Sequence, residues 1–175
     1  TDRSRGLGDV YKRQIVYDFN SMKLQVQHLL EKYNRNILVE EFIEGQDISM
    51  IYVEGLGALG PCIIQCDSEF YDYEMKTVKD ETVDISTLDG NYDELKNIVN
   101  FIAKKLDIKG YAKMDFRIKN GKYYLIEVNS QVSFHPMGEF ITCAKTDGYS
   151  FEKIILFIVK QALQSKEKKN SIGYV

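Results

Sequence analysis

The chain has 175 residues, a formal net charge of −3, 44% hydrophobic residues and 28% charged residues. This length and composition are those of a globular protein that buries one sizeable core, so we expect one domain with a short tail. The slightly negative charge gives no indication of a nucleic-acid surface, and no apolar run approaches the roughly 20 residues that a membrane-spanning helix needs.

The N-terminal residues and the cysteines bear on processing and cellular compartment. Residues 1–14 are polar and basic, show no amphipathic period and do not form a secretory signal. We predict that they are a non-native or disordered leader, and that the domain covers residues 15–165. Cys62, Cys66 and Cys143 lack C-x-x-C spacing, which favours reduced thiols in a cytoplasmic protein over a zinc site.

The first half of the domain predicts a helix followed by strands. Apolar residues at helical spacing indicate a helix over about residues 20–33. Runs rich in β-branched residues predict antiparallel strands separated by glycine-containing turns. These strands are Ile37–Ile43, Asp47–Val53 as its antiparallel partner, and Cys62–Cys66, with a glycine-rich loop before the last one. The polar segment from Asp67 to Leu88 has no clear period, and long irregular loops of this kind are often functional.

The second half predicts two helices, one on either side of a hairpin. Asn91 as N-cap and Glu94 at the third helical position begin a helix whose apolar stripe extends to Leu106. After the hairpin and an irregular stretch over 130–148, a last helix begins at Ser150, and we predict a frayed tail over 166–175. This order of elements predicts an α+β fold in which helices pack on a largely antiparallel sheet.

Two carboxylates and a carboxamide distinguish the hairpin. Lys113 and Asp115 lie before an Asn120-Gly121 turn, and Glu127 and Asn129 come after it. Oxygen ligands of this kind suit Mg²⁺, which takes a few carboxylates and completes its shell with water and phosphate oxygens. The pattern favours a metal–nucleotide site, and a solvent-facing hairpin with mixed charges is the alternative that these residues leave open.

The two carboxylates and the carboxamide must share one face of the sheet if they are to hold the same ions. Side chains alternate between faces, so the length of the loop decides the outcome. A two-residue turn would oppose Asp115 to Ile126 and place the carboxylates on opposite faces. A three-residue loop, Lys119-Asn120-Gly121 with its glycine left-handed, would set Lys113 opposite Glu127. Asp115 would then lie diagonal to Glu127 at roughly 7–8 Å, so we predict the three-residue loop.

With these elements in place, the chain resembles the C-terminal half of the ATP-grasp domain of D-alanine–D-alanine ligases over about residues 15–165. The resemblance rests on several motifs whose order and spacing count for more than any one of them. They are Leu38-Val39-Glu40-Glu41-Phe42-Ile43 with Gly45-Gln46-Asp47, Phe70-Tyr71-Asp72-Tyr73-Glu74-Met75-Lys76, Lys113-Met114-Asp115, and Leu125-Ile126-Glu127-Val128-Asn129. The resemblance implies an ATP-dependent carboxylate–amine ligase, in which ATP phosphorylates a carboxylate and an amine attacks the acyl phosphate.

The resemblance also implies a nucleotide site. Glu40 would accept a hydrogen bond from the adenine amino group, and the backbone just after it would form the rest of the purine edge. Asp47 takes the place of a longer acidic residue that holds the ribose hydroxyls, and Lys76 would screen phosphate charge from a tyrosine-rich loop. An exposed strand charge and a solvated loop lysine are the alternatives for Glu40 and Lys76. The implied nucleotide-binding residues are Glu40, Glu41, Phe42, Ile43, Asp47 and Lys76.

The metal site is implied by the same resemblance. Asp115, Glu127 and Asn129 match the family's magnesium ligands, so ATP and two Mg²⁺ ions are the implied cofactors, with Mn²⁺ as a substitute. Lys113 stands where the family usually places an arginine that stabilises the transferring phosphate. Lysine keeps the charge but loses the bidentate geometry of arginine. Lys113 and Lys76 are therefore the implied catalytic cations.

The segment after Asn129 departs from the family pattern. Ser133 replaces a glycine that lends a close backbone amide, and Gly138 occupies the position of the serine that binds the substrate carboxylate. We therefore predict an acceptor pocket altered for an amine other than D-alanine. His135 and Glu139 are candidates to contact a cationic or amino group, and a structural His-Pro turn is the equal alternative for this segment.

The family's N-terminal substrate domain and glycine-rich phosphate loop have no convincing match in this sequence. We therefore expect weak ATP binding and little ligase turnover from the isolated chain, with ATP and small amino-acid-like molecules as partners and a homodimer allowed. One competing interpretation is a nucleotide-binding module without catalysis, such as a regulatory or degenerate subunit. Another is a structural partner protein that uses exposed tyrosines such as Tyr71 and Tyr73.

Overall fold

The computed structural model describes residues 15–65, 84–88 and 90–171 of the chain. These residues fall into two units, one comprising 15–43 and the other comprising 44–65, 84–88 and 90–171. The sequence predicted a single domain over 15–165, whereas these residues divide near residue 44. Among the described residues, no helix combines the length and the apolar character needed to cross a bilayer.

The first unit contains helix α1, Phe19–Tyr33, which confirms the helix predicted over 20–33. Asp18 is its N-cap, and one carboxylate oxygen accepts a hydrogen bond from the Ser21 backbone N–H at 2.9 Å. Residues 36–44 have no regular secondary structure, so the strand predicted at Ile37–Ile43 is wrong. Leu38 and Val39 of this segment are exposed. β-Branched residues favour a strand mainly by packing on a half-buried pleated surface, which these side chains lack.

The second unit is built on a five-stranded sheet in the order β3-β2-β1-β4-β5. The strands are β1 (Gln46–Val53), β2 (Gly57–Gln65), β3 (Asp84–Thr87), β4 (Tyr111–Lys119) and β5 (Lys122–Asn129). All four pairings between neighbouring strands are antiparallel, which confirms the predicted sheet type. Strand β1 pairs with β2 and β4 rather than with residues 37–43, so its predicted partner was wrong.

Helices α2 (Asp93–Lys105), α3 (Glu139–Thr146) and α4 (Phe151–Ser171) belong to the same unit. The N-cap residue of α2 is Tyr92, which makes no side-chain cap hydrogen bond, so the predicted N-cap Asn91 is wrong by one residue. The Asn91 side chain accepts a hydrogen bond from the Asp93 N–H at 2.9 Å. Helix α4 continues to Ser171, so residues 166–171 are helical where a frayed tail was predicted. Helix α3 lies in a stretch predicted to be irregular, because residues 140–144 are all buried and therefore show no amphipathic period.

The alternation of side chains along the strands gives the sheet two different faces. On one face, Met50, Met114 and Phe116 pack against Leu95 and Val99 of α2. On the other face, a second cluster joins the sheet to α3 and α4; its buried members are Ile51, Val53, Leu59, Cys62, Phe140, Ile141, Cys143, Ala144 and Ile154. This second face also carries the odd-numbered side chains of β4, and it leaves a polar area beside the apolar cluster.

Candidate functional site

The β4–β5 hairpin places both carboxylates on one face, but by a route other than the one predicted. Lys119 pairs with Lys122 across a two-residue turn, and Asn120 and Gly121 both have positive φ angles, 51° and 71°. Such a turn is typical of tight hairpins. The predicted three-residue loop is therefore wrong.

A β-bulge corrects the register beyond the turn. Phe116 lies opposite Leu125, whereas Asp115 lies opposite Glu127, so Ile126 is an extra residue on β5. Asp115 and Glu127 are therefore directly opposed rather than diagonal. Lys113 lies opposite Asn129 rather than opposite Glu127, which corrects the predicted register. The bulge places Asp115 and Glu127 on one face of the sheet, as the three-residue loop was expected to do, because opposed residues share a face.

Asp115 lies at the centre of a hydrogen-bond network on this face. The Ser49 hydroxyl donates to its Oδ1 at 2.5 Å, and the Asn129 amide donates to its Oδ2 at 3.4 Å. The Lys113 ammonium lies 3.0 Å from Oδ1. Ser49 is directly opposite Asp115 on β1, so the sheet register itself brings these groups together.

The network has the donor chemistry that a magnesium ion requires. Asp115 and Glu127 supply hard carboxylate oxygens, and Asn129 carries an amide oxygen next to them on the same face. No three His, Cys, Asp or Glu side chains group together as a metal site within 15–65, 84–88 and 90–171. The candidate set contains only two such residues and an asparagine, so water and phosphate oxygens would have to complete the coordination. These residues fit a magnesium ion that is shared with a phosphate.

Lys113 is held between two carboxylates. Its ammonium contacts Asp115 and also donates to Glu139, the first residue of α3. The side chains of Lys113 and Glu139 are only 13% and 14% exposed. Burial by itself lowers the pKa of Lys113, but the charges and hydrogen bonds of Asp115 and Glu139 outweigh burial and raise the pKa above its ordinary value. Lys113 therefore remains an ammonium ion at neutral pH.

Asp47 and Arg117 form a second ion pair on the same face. Arg117 Nε donates to one carboxylate oxygen of Asp47 at 2.6 Å, and Nη2 donates to the other at 3.0 Å. The two residues are directly opposed on β1 and β4. This bidentate geometry is the strong form of an arginine–carboxylate contact. Asp47, the residue predicted to hold the ribose, thus has both oxygens engaged by a neighbouring strand.

The predicted acceptor segment is a turn that leads into α3. Ser133 Oγ accepts from the His135 N–H at 3.3 Å, and His135 Nδ1 accepts from the Met137 N–H at 3.3 Å. Gly138 is the N-cap residue of α3, and its N–H donates to the His135 carbonyl at 2.8 Å. These contacts agree with the structural alternative of a His-Pro turn. Glu139 alone among the predicted pocket residues lies in contact with Lys113.

Two buried thiols donate hydrogen bonds to the backbone of residues in the network. The Cys143 thiol donates to the Ser49 carbonyl at 3.1 Å, and the Cys62 thiol donates to the Glu139 carbonyl at 3.6 Å. Both cysteines are free thiols with no exposed surface. Burial raises the pKa of Cys143, and the neighbouring Cys62 adds to this effect, so the thiol stays protonated and can donate.

The remaining predicted nucleotide residues lie either in the first unit or outside the described residues. Glu40, Glu41, Phe42 and Ile43 belong to the first unit, where Glu40 and Glu41 are exposed. Lys76, together with Tyr71 and Tyr73, lies outside the described residues, as does Cys66.

Three contributors to the network were absent from the sequence-based prediction: Ser49, Arg117 and the pair formed by Glu139 with Lys113. The parity of β1 and β4 gives a signal for Ser49 and Arg117, since the antiparallel pairing of these strands puts them on the face of Asp115. The contact of Glu139 depends on a helix that the sequence did not reveal, and no local signal predicts it.

The fold of this chain is that of two solved ligases. The solved D-alanine–D-alanine ligase of Bacillus anthracis in complex with ATP superimposes with a TM-score of 0.71, at 21% identity, over 89% of this chain and 52% of that one. The VanG D-Ala:D-Ser ligase of Enterococcus faecalis gives a TM-score of 0.67, at 19% identity, over 88% of this chain and 46% of that one. At these identities the likeness shows the fold alone.

Sequence comparison narrows the class to one family. The family model described as D-ala D-ala ligase C-terminus matches residues 12–160, and the chain belongs to this family. The D-alanine–D-alanine ligase of Pelagibacter ubique (strain HTCC1062) is 32% identical over 138 residues, which are 77% of this chain and 45% of that protein. The corresponding ligase of Aquifex aeolicus (strain VF5) is 32% identical over 148 residues, 83% of this chain and 50% of that protein. The chain spans about half the length of these curated relatives.

Proposed function

We propose that this chain provides the magnesium- and phosphate-binding part of an ATP-dependent carboxylate–amine ligase that works through an acyl phosphate. One observation carries the proposal: Asp115 lies opposite Glu127 and Lys113 lies opposite Asn129, so all four side chains share one face of the sheet. Family membership and the names of the relatives, which are D-alanine–D-alanine ligases, support the same reaction class.

In this reaction, a substrate carboxylate oxygen attacks the γ-phosphorus of ATP and ADP leaves. The amine of the second substrate then attacks the carbonyl carbon of the acyl phosphate, inorganic phosphate leaves, and the amine gives up a proton. Magnesium bound by Asp115, Glu127 and Asn129 would neutralise the charge of the phosphate oxygens. The Lys113 ammonium would add a fixed positive charge beside the transferring phosphoryl group, and a preorganised charge of this kind costs no reorganisation during the reaction.

The relatives' names suggest an amino-acid acceptor, and the loop before α3 bears on which one. Ser133 and Gly138 stand where the family pattern predicts a glycine and a carboxylate-binding serine. We propose that the acceptor pocket is altered and that the amine substrate differs from D-alanine. Ser133 Oγ and His135 Nδ1 accept hydrogen bonds within the turn from the backbone N–H groups of His135 and Met137.

Binding of Mg·ATP by the 175-residue chain tests the proposed function. Isothermal titration calorimetry should detect weak, magnesium-dependent binding by the parent chain. An Asp115→Asn variant should lose most of this affinity, because the substitution removes a charged ligand but preserves the shape of the side chain. A phosphate-release assay with amino acids should show little turnover by the chain alone. Magnesium-independent binding, or robust turnover, would contradict the proposal.

A second candidate is a nucleotide-binding module without catalysis. One observation favours it: both oxygens of Asp115 already accept hydrogen bonds from neighbouring side chains, as they would in a purely structural network. The same titration separates the two candidates, since an Asp115→Asn chain that binds Mg·ATP as well as the parent would favour the module. Three statements stay predictions: a cytoplasmic location, two magnesium ions and a homodimer.

A further inference from the structure

The two anions that hold Lys113 differ in what a magnesium ion would do to them. Asp115 belongs to the candidate metal-binding set, together with Glu127 and Asn129. Glu139 lies outside that set, on helix α3 rather than on the hairpin. A magnesium ion at the site would therefore compete with Lys113 for one of its partners and leave the other in place.

This competition has a definite electrostatic consequence. When Asp115 coordinates a dication, its negative charge is no longer available to Lys113, and the dication repels the ammonium. A lysine side chain is flexible and strongly hydrated, so it would leave the site unless a second anion retained it. The chain would then lose its fixed cation in the state that is loaded with metal and phosphate.

Glu139 is placed to retain the ammonium. Its side chain is only 14% exposed, and it begins a helix in which residues 140–144 are all buried. A negative charge in the first turn is favoured by the helix dipole. The helix is fixed against β2 through its opposite end, where Asp147 accepts from the Gly60 N–H at 2.7 Å and the Thr146 hydroxyl donates to the Pro61 carbonyl at 3.1 Å. The backbone that carries Glu139 is therefore held in place, and its carboxylate lies against Lys113 with little exposed surface.

We propose that Glu139 is a positioning residue that keeps the Lys113 ammonium at the phosphate site when a magnesium ion takes Asp115. This inference rests on the proposed function, since it assumes that the hairpin binds magnesium and phosphate. Glu139 acts through Lys113 and contacts neither the metal nor the phosphate. Its carboxylate is occupied by the ammonium, which gives it a role other than recognition of a substrate amine.

The direction in which one substitution changes the affinity for a polyphosphate separates this role from a general charge effect. Glu139→Gln removes a negative charge near an anion site, so the electrostatic field alone predicts tighter binding of a polyphosphate. Loss of a positioning residue predicts the reverse, because the glutamine holds the ammonium only weakly. We expect magnesium-dependent binding of inorganic tripolyphosphate, measured by calorimetry on the full chain, to weaken about tenfold. The control Glu94→Gln, an exposed glutamate in the first turn of α2, should leave it unchanged.

A double-mutant cycle shows whether the effect passes through Lys113. In a Lys113→Met background, Glu139→Gln should cause no further loss, because there is no ammonium left to position. Unchanged or tighter binding by Glu139→Gln, or an equal loss in the Lys113→Met background, overturns the proposal. A merely structural role would weaken binding in both backgrounds.

A measurement on Lys113 itself does not depend on phosphate binding. Side-chain ¹⁵N–¹H correlation spectra of the parent should contain a protected Lys113 ammonium signal, assigned by its absence in Lys113→Met. We expect this signal to persist when MgCl₂ is added to the parent. In Glu139→Gln, Asp115 still holds the ammonium without metal, so the signal should disappear only when MgCl₂ is added. Persistence in the variant with MgCl₂ overturns the proposal. If the parent fails to bind tripolyphosphate, the proposed function is wrong, and the Lys113 signal still decides the role of Glu139.

Discussion

Ser49 carries a buried hydroxyl group that contacts Asp115 of the candidate site. Its replacement by alanine tests how the polar network is organised. The side chain has no exposed surface, and Oγ donates to Asp115 Oδ1 at 2.5 Å. Ser49→Ala removes this donor, but Lys113 remains 3.0 Å from the same oxygen, so the carboxylate keeps one partner there. A hydrogen bond to a charged group contributes about 1.5–3 kcal/mol. We therefore expect the free energy of unfolding to fall by about 2 kcal/mol.

Urea denaturation measures this loss as a lower midpoint with an unchanged slope. The matched control is Ser133→Ala, because Ser133 is exposed and its Oγ accepts a single bond of 3.3 Å; we expect a change below about 0.5 kcal/mol. In an Asp115→Asn background the cost of Ser49→Ala should shrink by about 1 kcal/mol or more, since the two residues are in contact. Equal losses in Ser49→Ala and Ser133→Ala, or an undiminished cost beside Asp115→Asn, would refute the reasoning.

Two further predictions concern how α3 is held against the sheet. Gly60 has a φ of +109°, and a Cβ added there would lie 3.1 Å from Cys143 Sγ and 3.2 Å from Cys143 Cβ. Because Gly60→Ala adds both backbone strain and a close contact, we expect it to lower the free energy of unfolding by about 2–5 kcal/mol. Gly110→Ala, at a φ of +76° with nothing within 4 Å, should cost only about 1–2 kcal/mol, and equal costs in urea denaturation would contradict the packing argument. In a Cys66→Ser background, the buried thiols of Cys62 and Cys143 should react with a thiol reagent only when urea unfolds the protein; rapid labelling without urea would contradict their burial.

The three longer helices could be predicted because their signals are local. The apolar stripes of α1, α2 and α4 repeat at helical spacing within each segment, although the N-cap of α2 is Tyr92 rather than the predicted Asn91. Helix α3 has no such signal, because its buried residues are consecutive and it is only eight residues long. The segment 37–43 shows the converse error, since a strand-like composition has no effect when no neighbouring strand in the described chain pairs with it.

The shared face of the candidate metal ligands could be predicted from sequence, whereas their contacts with residues outside the hairpin could not. Asp115, Glu127 and Asn129 were expected to share a face, and the register of β4 and β5 places all three there. The contacts with Ser49 and Glu139 depend on which strand lies beside β4 and on where α3 begins after the hairpin. Such long-range pairings are set by the whole fold, so spacing within one hairpin carries no information about them.

In the hairpin, the predicted shared face of Asp115 and Glu127 is correct, although the predicted three-residue loop is wrong. The Asn-Gly sequence favours a two-residue turn, and with an unbroken ladder that turn would have put the two carboxylates on opposite faces. The bulge at Ile126 reconciles the two requirements, because one unpaired residue shifts the parity of everything after it. Leu125 and Ile126 are both partly exposed, so the extra residue is accommodated at the open edge of the sheet without disturbing the core. A three-residue loop, or a two-residue turn followed by a bulge, would each put Asp115 and Glu127 on one face, so the length of the turn alone does not decide the face of each carboxylate.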